Sequence, residues 1–187
     1  MSINAAVQSQ RGHQHPLDGT ARALTEFDRR TACRFGAPTG PNWFSLHEAS
    51  SRSVIAHWLT EMPASGQGLR NVAAARLGAG LACAVVRPLM GALQLHGRVP
   101  VLDAEHTWLR RSGSTFTGMA LHSEQVFALE SDPEADDPRI VTCSGIEQLL
   151  QREAQMLEFL FRPVVAAIRA EGRYGQDKLW GAVLDMV

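Results

Sequence analysis

The residues of this chain best suited to chemistry are arginines set in apolar surroundings. Arg76, Arg87 and Arg98 follow one another at eleven-residue intervals, which in an α-helix turns each by only about 20° from the last. Gln94 and Cys83 fall near the same line. Arg162 and Arg173 occupy places equivalent to Arg87 and Arg98 in a second stretch of similar sequence. A guanidinium is permanently charged and grips carboxylates and other oxyanions through paired N–H groups. If the two stretches pack as equivalents, Arg87 and Arg162 face a shared cleft suited to an anionic small molecule. The competing expectation pairs these arginines with core-facing carboxylates such as Glu153 or Glu158, or lets them reach solvent. Asp103, Glu105 and His106 form a second, weaker set with acid and base capacity, but one short loop does not make a metal site. His47, His57, His96, His106 and His122 are scattered singly. Cys33, Cys83 and Cys143 are too far apart for a Cys-x-x-Cys metal knuckle and do not make an even disulfide set. No nucleophile elbow, phosphate-binding glycine loop, dinucleotide fingerprint or His-Glu-x-x-His motif occurs.

The elements that must position these groups are helices with proline inside them. Residues 85–98, VVRPLMGALQLHGR, are echoed at 160–173 as LFRPVVAAIRAEGR, with Arg-Pro, one alanine and the closing Gly-Arg identical. Proline in a helix interior costs about 3 kcal/mol and removes a hydrogen-bond donor. Its use twice in one register predicts two equivalent kinked helices. The first extends over 69–96, where Leu77, Leu81, Val85, Leu89 and Leu93 step along a stripe beside the arginines. That pattern predicts a helix buried on most sides with one polar seam. The stretch is long enough to cross a bilayer, but Arg76 and Arg87 within it argue against a membrane span, leaving peripheral membrane contact open. Gly97 and Pro100 supply the stop.

Around this helix the pattern predicts a short helix over 18–31, a break at 37–41, and a helix from Ser45 to Met62. The period changes at Thr107, where TWLRRS, a Gly-Ser turn and TFTGMAL read as a β-hairpin. Short strands follow at 126–129 and 139–143, separated by a solvated acidic loop. Ser144 and Glu147 suggest a capping box for the second proline helix, which stops at Gly172, and a last helix spans 177–186. The fold class is therefore α+β and predominantly α-helical, with two helical blocks of Pro-kinked helices flanking a small antiparallel β-sheet. Residues 1–41 read as a mobile N-terminal segment with room for one short helix, in which His13 and His15 are solvated. Residues 42–187 read as a single α+β domain, helical over 45–98, sheet over 107–143 and helical over 145–186. With 187 residues, a net charge of −1 and 20% charged residues, the chain lacks the basic character of a nucleic-acid binder. It also lacks the apolar stretch of a secretory leader at its start, and cytoplasmic localisation is expected.

The tracts Ala75-Arg76-Leu77, Val86 to Leu93 and His96 to Leu102, followed by Phe161 to Val165 and Lys178 to Val183 with its Leu-Trp-Gly, resemble FhuF-like ferric-siderophore reductases in order and spacing over roughly 43–187. The resemblance implies siderophore-iron metabolism, and within that setting the expected ligand cleft is lined by some of Arg76, Arg87 and Arg162 with Trp180 nearby. It also implies a cysteine-rich segment after the Leu-Trp-Gly tract that holds a [2Fe–2S] cluster. Here the chain stops at Val187 with no cysteine after Cys143, and thiolate ligation of such a cluster needs four ligands. No cofactor is therefore expected, and a [2Fe–2S] cluster only if a natural C-terminal tail is missing.

Three functional expectations result. The first is a protein of siderophore-iron metabolism that binds an anionic small molecule such as a ferric siderophore without a cluster of its own. The second is a cluster-free enzyme of secondary metabolism, of cyclisation or isomerisation type, using Asp103, Glu105 and His106. The third is an interaction subunit without a ligand.

Overall fold

The computed structural model describes residues 15–27, 32–62 and 70–184. Six helices and two small mixed sheets make up this part of the chain, and helix predominates. The α+β class expected from the pattern is what the chain adopts.

Its centre is helix α4 (Arg70–His96), packed among α1 (Asp18–Phe27), α3 (Arg52–Glu61), α5 (Ile146–Gly172) and α6 (Gln176–Leu184). Leu77, Leu81, Val85 and Leu89 are fully buried, so the expected leucine stripe is the core face. By length and composition α4 could cross a membrane, with a mean hydropathy of 1.4, and 61% of that apolar window is buried inside this fold. Burial against other helices is the alternative to lipid for such a surface.

Both α4 and α5 run for 27 residues and pass through their prolines, Pro88 and Pro163, without ending. The two copies then diverge at their Gly-Arg ends. Gly97 takes φ +65, a left-handed conformation that glycine adopts freely, and turns the chain into strand β3 (Arg98–Pro100). Gly172 is still helical; a Cβ there would lie 2.3 Å from the Cβ of Ala74, so the residue is small to let α5 approach α4. Arg173, at φ 51, caps α5 instead.

The expected single antiparallel sheet is two mixed sheets. One has the order β1-β5-β4-β2, formed by β1 (Ala32–Phe35), β2 (Trp43–Ser45), β4 (Thr107–Ser112) and β5 (Thr115–Leu121), with β1 parallel to β5. The other has the order β3-β6-β7, formed with β6 (Val126–Leu129) and β7 (Ile140–Cys143), and β6 and β7 run parallel. Pairing partners distant in sequence carry no local signature, which is why the hairpin was legible and its flanking strands were not.

The boundary expected at residue 41 does not set the preceding residues apart. Strand β1 hydrogen-bonds along β5, and Leu24 of α1 lies in the main core. His15, expected to be solvated, stacks on Phe35 at 5.1 Å and places Nε2 2.8 Å from the Ser123 carbonyl. His13 and the rest of the expected tail up to residue 14 lie outside the described residues.

Two caps also differ from expectation. The helix foreseen over Ser45–Met62 is two, α2 (Leu46–Ala49) and α3, and α2 opens with a capping box. In it, Ser45 Oγ accepts from the Glu48 amide while Glu48 Oε2 accepts from the Ser45 amide at 2.7 Å. The box proposed at Ser144 and Glu147 is absent; Gln148 Oε1 accepts from the Ser144 amide at 2.8 Å instead. The acidic loop is not simply solvated either. Asp132 takes a paired contact from Arg98 at 2.7 Å, Glu134 lies 3.1 Å from the same guanidinium, and Arg139 grips Asp137. These contacts hold the Asp132 carboxyl below its ordinary range and that of Asp137 down at about 2.

Candidate functional site

Helix periodicity brings Arg76, Gly80, Cys83, Ala84 and Arg87 onto one face of α4, and that face lines a groove of about 570 Å³. The opposite wall is the tip of the β4–β5 hairpin, with the ring of Phe116 and the hydroxyl-bearing Ser114, Thr115 and Thr117. Met62, at the end of α3, closes one side. The hairpin reaches the helix because Gly113, at φ +58, opens the two-residue turn before Ser114. The side chain of Phe116 comes within 3.4 Å of where a Cβ on Gly80 would sit.

Arg76 and Arg87 are both exposed on this face, and Arg87 makes no hydrogen bond or ion pair among the described residues. Arg87, Arg76 (which is also engaged elsewhere) and three hydroxyl-bearing residues line one hollow. That donor set suits an oxyanion.

Arg162 does not join them. It is exposed on α5 and donates to Glu158 at 2.6 Å one helical turn away, which is one of the carboxylate pairings the sequence allowed. The repeat therefore does not carry Arg87 and Arg162 to equivalent walls of this groove: the hairpin packs over α4, and the corresponding residue of α5 meets solvent. Trp180, on α6, is half-buried against the main core and is not part of the groove wall.

Behind the groove lies a residue that sequence reasoning passed over. Arg111 is only 7% exposed, and its guanidinium rests 5.1 Å above the ring of Trp58. Its Nη1 donates to Glu61, and this contact holds the Glu61 carboxyl below its ordinary range. Its Nε and Nη2 are buried without a partner. A register shift between Arg110 and Arg111 leaves Thr117 as the extra residue of β5 and pairs Arg111 with Phe116. The signal was present in the strand alternation, since Thr107, Leu109 and Arg111 share a face and the first two are apolar-facing core positions.

Asp103 and His106 line a different hollow, of about 560 Å³, together with His122, and Glu105 does not reach it. His106 Nδ1 is 3.0 Å from both carboxylate oxygens of Asp103, and the rings of His106 and His122 are 6.2 Å apart. Asp103 Oδ1 also accepts from the backbone N–H groups of Glu105 and His106. Its first role is thus to shape the loop and to orient one imidazole. Among the described residues no group of three or more His, Cys, Asp or Glu side chains is arranged to hold a metal ion. Cys33 and Cys143 are buried and Cys83 is half-exposed in the groove; burial pushes the Cys33 thiol up to about 12.

No protein-family model matches the chain and no curated protein does, so the FhuF-like resemblance stands on its sequence tracts alone. Among solved structures the chain is similar to aerobactin synthetase IucC from a hypervirulent pathotype of Klebsiella pneumoniae. That similarity has a TM-score of 0.50 at 11% sequence identity and covers 79% of this chain. The chain spans 29% of the synthetase chain, and at this identity the likeness is one of fold.

Proposed function

We propose that this protein binds an anionic small molecule of siderophore-iron metabolism, such as a ferric siderophore, in the groove between α4 and the hairpin. The observation that carries the reading is the placement of Arg76 and Arg87 on one helical face, opposite the hairpin hydroxyls. The likeness in fold to a siderophore synthetase supports the metabolic setting, as do the sequence tracts similar to FhuF-like reductases. Binding here needs no iron–sulfur cluster: the protein holds the ligand, and any electron comes from elsewhere. The volume of about 570 Å³ is within the usual range for a small-molecule site.

Trp58 provides the readout, because its ring lies 5.6 Å from Phe116 in the groove wall. Titration with a ferric triscatecholate, which carries three negative charges, is expected to quench tryptophan fluorescence saturably at micromolar concentration. Arg87→Ala is expected to weaken binding about tenfold, in line with loss of one charge-assisted contact. Unchanged affinity in a folded Arg87→Ala protein would remove the groove as the site.

A further inference from the structure

The geometry points to Arg111 as the recognition point for a carboxylate of the ligand at the inner end of the groove; this rests on the proposed groove reading and narrows its ligand class. The side-on edge of a guanidinium, Nε together with Nη2, presents two parallel N–H groups matched to a carboxylate. Two other arginines of this chain use that edge. Arg98 places Nε and Nη2 each 2.7 Å from the oxygens of Asp132. Arg139 places the same two atoms 2.9 and 2.6 Å from those of Asp137. In Arg111 the edge is buried and unfilled, while the remaining nitrogen is held by Glu61.

Buried guanidinium N–H groups without acceptors are costly, and native proteins rarely keep them. Glu61 neutralises the charge but reaches only one nitrogen, so the open edge calls for an acceptor that the described residues do not provide. Three contacts set it beside the groove. Phe116, the strand partner of Arg111, is a wall residue. Trp58 touches both the guanidinium and the Phe116 ring. Glu61 directly precedes Met62, another wall residue. Arg111 lies behind the groove rather than in its lining, so a ligand reaches the edge only if a neighbour such as Met62, unbranched and adaptable, moves aside. A carboxylate arriving there meets a guanidinium already oriented by Glu61 and by the indole face, while Arg76 and Arg87 meet charge farther out. The rings of Trp58 and Phe116 beside Arg111 favour the single charge of a carboxylate over a phosphate dianion, which is harder to strip of water.

Citrate is the probe, with inorganic phosphate and the uncharged trimethyl citrate as controls. In the wild-type protein the Nε–Hε resonance of Arg111, assigned through its backbone and checked by its loss in Arg111→Lys, is expected to move saturably with citrate. Phosphate should move it less, and trimethyl citrate should not move it at all. By calorimetry, Arg111→Lys is expected to weaken citrate about tenfold or more, because an ammonium cannot reproduce the paired geometry. Glu61→Gln leaves the edge intact and removes a nearby negative charge, so it should bind citrate at least as tightly as wild type. Citrate binding that depends on Arg87, with an unmoved Arg111 resonance and unchanged affinity in Arg111→Lys, overturns the assignment and leaves the groove standing. Failure of the wild type to bind citrate, phosphate or the ferric chelate overturns both.

Discussion

Glu153 offers the sharpest test of the packing described above. It lies on α5 between Leu149 and Leu157, is fully buried, and neither carboxylate oxygen has a partner among the described residues. Burial disfavours the charged form and pushes its carboxyl from an ordinary 4.5 up to about 7. The folded protein thus holds a proton that the unfolded chain releases between those two values, and stability falls as pH rises from about 4.5 to 7. Below that window both states are protonated and the term vanishes; above it both are ionised and the full cost is present. A shift from 4.5 to about 7, at 1.36 kcal/mol per pH unit, gives a ceiling of about 3 kcal/mol, and relaxation of the fold around the charged form lowers it to about 2. Glu153→Met replaces the carboxyl with an apolar chain of similar length and should remove the cost. Urea unfolding of both proteins at pH 5 and pH 8 isolates the effect, since other titrating groups cancel in the difference. The variant is expected to gain less than about 1 kcal/mol over wild type at pH 5 and about 2 kcal/mol at pH 8. A difference independent of pH, or a variant less stable than wild type at pH 8, would refute the reasoning, because it would mean that Glu153 has a partner or reaches water.

The remaining predictions probe the helix contact and the groove. Gly172→Ala places a methyl group 2.3 Å from the Cβ of Ala74, and should destabilise the fold by about 1–3 kcal/mol through overpacking, measured by the urea midpoint; Gly97→Ala, strained by its positive φ rather than by a neighbour, should cost about 1 kcal/mol. Among the cysteines, Cys83 should react first with a maleimide, since Cys33 and Cys143 are buried. A bound ferric chelate should slow that labelling if it occupies the groove that Cys83 lines; equal rates with and without saturating chelate would count against occupancy.

Helix periodicity and the hairpin turn made much of the fold legible. The stripe of Leu77, Leu81, Val85 and Leu89 and the face of Arg76, Cys83 and Arg87 follow from 100° per residue alone, and both describe α4 as it packs. What local pattern could not supply was partnership across the sequence. Nothing near Ala32–Phe35 says that it runs parallel to β5. Nothing in the acidic loop says that Asp132 will meet Arg98, which lies 34 residues away. Arg111 is the instructive omission. Two consecutive arginines on a strand must point to opposite faces, so one of Arg110 and Arg111 had to enter the core, and only the register shift and the indole of Trp58 show how it is accommodated.

The paired Arg-Pro helices suggested a cleft formed between equals, and the packing shows why equality of sequence did not produce equality of role. Arg87 and Arg162 each precede a helical proline, yet Pro88 is buried and Pro163 is exposed, so the two helices turn different faces to the body. The hairpin covers the polar seam of α4, and its hydroxyls and Phe116 convert an exposed arginine face into a concave one. Among the described residues no strand crosses above Arg162 in that way, and Glu158 neutralises it in solvent. A duplicated motif specifies a helix that runs through its proline; the site depends on what the rest of the chain lays against it. Grafting hairpin-facing residues onto α5 would therefore not create a second groove, whereas shortening the hairpin turn at Gly113 and Ser114 should flatten the existing one while leaving α4 folded.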